Sequence, residues 1–85
     1  MIRKENVETA YCFFHQKQRV FQYSNMDWQK EDIEYAIASY LEDMNPELYA
    51  CLSEGKDDYL KVHASFGEDL LHAVNRLEAL LKNYN

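Results

Sequence analysis

The sequence predicts an all-α fold: a small antiparallel bundle of three longer helices and one short helix, closed by a long C-terminal helix. The first support is the last third of the chain. With Tyr59 at zero and 100° per residue, Val62, His63, Phe66, Leu70, Ala73, Val74, Leu77, Leu80, Leu81 and Tyr84 fall within about 60° of it. The second is punctuation: two Gly and one Pro in 85 residues are too few for the turns of a sandwich or barrel. The third is composition, 47% apolar with seven Tyr, four Phe and one Trp, which suits a thin core built from large rings. Eighty-five residues make one helical domain, 1–85, able to bury about 60–65% of its unfolded surface.

The first element runs from Lys4 to Tyr23, with Val7, Ala10, Tyr11, Phe14 and Phe21 on one stripe, widened by Phe13 and Val20. Ala10–His15 and Arg19–Tyr23 also resemble two aromatic strands. The intervening Gln16-Lys17-Gln18 has no Gly, Asn or Asp to adopt the positive φ of a hairpin turn, so helix is preferred. Ser24-Asn25-Met26-Asp27 breaks the pattern and offers three capping side chains to the next helix. That helix, Trp28 to Met44, is expected to bury Ile33, Ala36, Ile37, Tyr40, Leu41 and Met44. Asn45-Pro46 opens a short helix to Ser53 or Glu54, because proline at the first helical position loses no hydrogen bond, and Gly55 closes it.

The final helix is expected to span Asp57 to Tyr84, 28 residues and about 40 Å. Ser65-Phe66-Gly67-Glu68 spells a capping box that would restart it. Residues before and after Gly67 stay in phase, which favours one continuous helix with the glycine admitting a close neighbour at the rim of its stripe. His63 is the one polar member of that stripe, and a buried, neutral imidazole bonded to a carbonyl or a Tyr hydroxyl is the expectation, ahead of a pH switch.

Charge narrows the function. The net charge is −6, and residues 31–60 hold nine acidic groups against one basic. Residues 1–30 hold five basic groups against three acidic. Such a field disfavours nucleic acid and anionic lipid in general and favours basic protein partners or simple solubility. No run of 18 apolar residues occurs, and Arg3-Lys4-Glu5 follows the first two residues where a secretory h-region would begin; the expectation is a cytoplasmic protein with no membrane span. Cys12 and Cys51 are expected as free thiols.

Catalytic and metal patterns are thin. Cys12 and His15 stand three apart and supply half of a zinc site, with His63, His72 or Cys51 needed for the remainder, but no second paired motif exists. Asp69-x-x-His72 occurs once where a di-iron bundle needs repeated carboxylate–histidine units. No nucleophile elbow or glycine loop is present, so no enzyme activity, metal or cofactor is expected.

Two surface patterns remain. Trp28 and Tyr35 lie seven apart on the face of the second helix opposite Ile33 and Ile37, flanked by Glu31 and Glu42, which is the pattern of a hot spot for a basic partner. The competing reading folds both rings into the core. His15, Lys17 and Arg19, interleaved with Tyr11, Phe14, Phe21 and Tyr23, form the one basic strip and give the alternative of a nucleic-acid-associated accessory factor. A helix-turn-helix reading fails, because the would-be recognition helix carries Glu47 and Glu54 and no Lys or Arg. The expectation is a non-catalytic protein-interaction or regulatory module. A stripe of about 120° on so long a helix also outruns the cover of three short partners, which is compatible with a symmetric homodimer.

Overall fold

The computed structural model describes residues Ile2–Tyr84, a helical bundle of 37 × 24 × 19 Å with no strand among the described residues. Its elements are α1 (Lys4–Tyr23), α2 (Asp27–Asp43), α3 (Pro46–Ser53), a single 3₁₀ turn (His63–Ser65) and α4 (Phe66–Lys82). None of these helices is long and apolar enough to cross a membrane.

α1 and α4 pack along each other and form the spine of the bundle. α1 contributes Val7, Ala10 and Phe14, and α4 contributes Phe66, Leu70, Ala73, Val74 and Leu77, all buried. Tyr84 Oη donates to Ile2 O at 2.8 Å and ties the two chain ends together. α2 lies against α1 in the antiparallel sense, since Phe13 stacks on Tyr40 at 4.4 Å while Lys30 Nζ sits 5.5 Å over Phe21. It buries Ile33 and Ile37 and half-buries Tyr40 and Leu41. α3 adds Leu48 and Leu52.

The helix starts differ in how they are held. Asn45 accepts from Glu47 N at 2.8 Å and Leu48 N at 3.3 Å, with Pro46 in the first turn of α3. α2 begins with Met26 at its cap and no side-chain capping bond, so none of the expected Ser24, Asn25 and Asp27 caps it. Ser24 instead accepts from Met26 N at 3.2 Å and donates to Gln29 Oε1 at 2.6 Å, which shapes the three-residue turn between α1 and α2. Val20, expected on the buried stripe of α1, is exposed.

The C-terminal helix is the main correction. It begins at Phe66, not at Asp57, and its 17 residues make it shorter than α1. Residues 54–62 form an irregular strap in which Glu54, Gly55, Asp58 and Leu60 all have positive φ (52°, 84°, 57° and 62°). A left-handed aliphatic residue costs about 1–3 kcal/mol and persists only where its surroundings over-determine it. Here they do, since Leu60 is buried and its N–H donates to Asp69 Oδ2 at 3.0 Å. Tyr59 and Leu60 therefore reach the core from a strap rather than from a helical stripe. The agreement in phase of Tyr59, Val62 and Phe66 with Leu70 and Leu77 is what made the helix look continuous. The break falls beside the capping-box sequence, although Ser65 makes no capping bond and lies 3.5 Å from Asp69 Oδ2 instead. Gly67 does admit a close neighbour: a Cβ there would stand 3.1 Å from Phe21 Cε1.

His63 moves with this correction. It is solvent-exposed in the 3₁₀ turn and outside the core, with Nδ1 2.9 Å from Glu34 Oε2. The pair ties the entry of α4 to α2.

Candidate functional site

The outer face of α2 follows from the way the helix is anchored. Ile33 and Ile37 hold one side to the bundle, so positions half a turn away point to solvent. Trp28 is 59% and Tyr35 77% exposed, the latter the largest value among the exposed large apolar side chains. Both rings are therefore surface groups. Glu31, Asp32, Glu42 and Asp43 are exposed beside them, and none makes an ion pair among the described residues. The apolar surface continues round the α1–α2 turn through Met26, Tyr23 and Val20. Sequence reading assigned those three to a turn, an interleaved strip and a core stripe. The signal that finds them is their distance from the buried arc centred on Val7, Ala10 and Phe14.

The basic strip does not form one patch. His15 and Arg19, one turn apart, share the solvent side of α1, whereas Lys17 lies about 200° round the helix from each. Lys17 Nζ sits 5.5 Å over the Phe13 ring, and His15 stacks on Tyr11 at 5.4 Å between centroids. Cys12, exposed, and Cys51, half-buried, are free thiols. Among the described residues no group of three or more His, Cys, Asp or Glu side chains is arranged to hold a metal ion.

A second constellation lies where the strap meets α3 and α4. Asp69, 3% exposed, accepts from Leu60 N at 3.0 Å and from Lys56 Nζ at 2.7 Å. Tyr59, 1% exposed, has its hydroxyl 3.1 Å from Asp69 O and 2.7 Å from His72 Nδ1. A carbonyl only accepts, so both contacts are satisfied when His72 donates from Nδ1 to the hydroxyl and Tyr59 donates onward to Asp69 O. Tyr49 Oη donates to Tyr59 O at 2.9 Å. Glu54 pairs with Arg76 at 3.0 Å and lies 3.8 Å from His72 Nε2. A shallow cavity of about 370 Å³ opens beside Glu54, Lys56, Glu68 and His72. Asp69 and His72, read in sequence as a lone ligand doublet, are thus divided between the strap and Tyr59.

This network is satisfied within itself, and no buried side-chain nitrogen or oxygen among the described residues lacks a partner. Its chemistry is that of a latch. Burial pushes the Tyr59 phenol well above its ordinary value, and the Asp69 and Glu54 carboxylates push it further the same way. Tyr49 and Tyr40 are raised as well, first by burial.

The sign of the pH dependence follows. A phenol whose folded pKa is raised leaves the fold stable below the unfolded value of 10.0, and stability falls as pH rises above it. Each such group contributes up to about 1.4 kcal/mol per pH unit in that window. Chemical denaturation of the wild type is expected to show a steep loss above that value. Tyr59→Phe is expected to be weaker at neutral pH by about 1 kcal/mol and to flatten the alkaline loss. An alkaline slope unchanged by the substitution would contradict the burial of this hydroxyl.

The chain matches no family model, and comparison with curated proteins and with solved structures finds no match.

Proposed function

We propose that this protein is a non-catalytic interaction module that docks a basic protein partner on the outer face of α2. The observation that carries the reading is the exposure of Trp28 and Tyr35 seven residues apart, beside Glu31 and Glu42. Each ring can bury on the order of 150–250 Å² in a contact, and aromatic anchors of this kind dominate interface energetics. The surrounding carboxylates, unpaired among the described residues, favour approach by a positively charged surface and speed its encounter. The two free thiols suit a reducing compartment, and the reading is for a cytoplasmic protein.

A Trp28→Ala, Tyr35→Ala double variant tests this. Both side chains are exposed, so the variant is expected to keep the wild-type stability within about 0.5 kcal/mol. Tagged wild type is expected to retain a stoichiometric protein from a lysate of its own cells after nuclease treatment, and the variant to lose it. A folded variant that keeps the same partner would sink the assignment of this face.

A further inference from the structure

We propose that a second copy of this chain is the partner that covers the outer face of α2, with the C-terminal half of each α1 laid on the N-terminal half of the other copy's α2. The inference rests on the interaction reading above and names the occupant of that same face: the chain is acidic overall, at −6, and the basic element that meets the α2 carboxylates is the local cation Arg19.

Two surfaces of the chain are complementary and cannot meet within one molecule. The first is the solvent side of α1, a shallow trough of about 650 Å³ lined by Cys12, His15, Gln16, Arg19, Val20 and Tyr23. Its cation, Arg19, makes no ion pair among the described residues, and Tyr23 is 73% exposed beside it. The second is the outer face of α2, where Glu31 and Asp32 are likewise unpaired and Trp28 and Tyr35 stand out. Both surfaces point away from the core that joins their helices, so basic and acidic charge on neighbouring helices stays separated inside the fold. Between copies the separation becomes complementarity.

The register of the hairpin fixes which residues would meet. Phe13 stacks on Tyr40 and Lys30 covers Phe21. Arg19 is therefore level with the α2 turn from Glu31 to Tyr35, and Tyr23 is level with Trp28. A two-fold axis parallel to the hairpin and outside it preserves those levels while exchanging the helices. Each Arg19 then faces the partner's Asp32, and each Tyr23 faces the partner's Trp28. The arrangement is isologous and closes at two copies, which accounts for both exposed aromatic sets at once.

Sedimentation equilibrium of the full chain tests this with Arg19→Glu and Asp32→Arg, both exposed positions whose folding is checked by circular dichroism. The wild type is expected to be a dimer at about 100 μM, and each single variant to weaken association by at least about tenfold. An equimolar mixture of the two single variants is expected to dimerise again, because the mixed pair restores opposite charges at both contacts. A monomeric wild type at that concentration overturns the proposal. So does a dimer indifferent to both reversals, which would use another face. A monomer that still loses a different protein partner through Trp28→Ala and Tyr35→Ala removes the second copy and leaves the interaction reading standing.

Discussion

Asp69→Ala is expected to destabilise the fold by about 2–4 kcal/mol, because it strands a buried donor and frees the strap at the same time. The carboxylate accepts from Leu60 N and Lys56 Nζ, and it sits in the first turn of α4, where negative charge is favoured. Without it, the N–H of left-handed Leu60 has no acceptor in an apolar setting. The Lys56 ammonium is half-exposed and rehydrates, so the ion pair itself is a minor part of the loss. Asp69→Asn, which keeps an acceptor for Leu60 N, is expected to lose about half as much. Urea unfolding followed by circular dichroism checks the order. Equal losses for Ala and Asn would show that charge, rather than the hydrogen bond to the strap, matters here.

Phe14→Ala is expected to cost about 3–5 kcal/mol. The ring is fully buried at the centre of α1 and meets Tyr40 edge-on at 5.5 Å between centroids, so its removal leaves a cavity at the junction of α1, α2 and the core. A domain of 85 residues has about 4–13 kcal/mol of stability in all. The variant should therefore be partly unfolded at 37 °C, while Phe14→Leu, which fills most of the volume, should remain folded. Thermal unfolding of the two variants side by side decides it. Similar midpoints for Leu and Ala would contradict the close packing described around this ring.

Most of the architecture was legible because helix periodicity and punctuation agreed. α1 and α3 fall where their stripes and the Asn45-Pro46 signal place them, and α2 is displaced by one residue. The failure at residues 57–62 has a definite cause. Helical phase was read across a segment whose apolar residues reach the core by positive-φ turns, and such turns leave no mark when the residues are Asp58 and Leu60 rather than glycine. The same error placed His63 in the core. The only local warning was Ser65 to Glu68, with Gly67 inside it.

On the surface, the spacing of Trp28 and Tyr35 opposite Ile33 and Ile37 was readable, but their exposure depended on which segments cover α2. The structure leaves that side open because α4 packs on α1. The Asp69–Tyr59–His72 latch was not readable. It joins residues of an irregular strap to a helix through hydrogen bonds that no spacing rule encodes.

Trp28 is the only tryptophan of the chain, so its fluorescence reports directly on the outer face of α2. The decisive measurement is its emission and acrylamide quenching in the free protein and in the complex with whichever partner is captured, a second copy included. A water-exposed, readily quenched indole in the free monomer, shifted to the blue and shielded in the complex, is the expected result. A Trp28 equally quenched with and without a bound partner would show that the partner sits elsewhere and would contradict the assignment of this face.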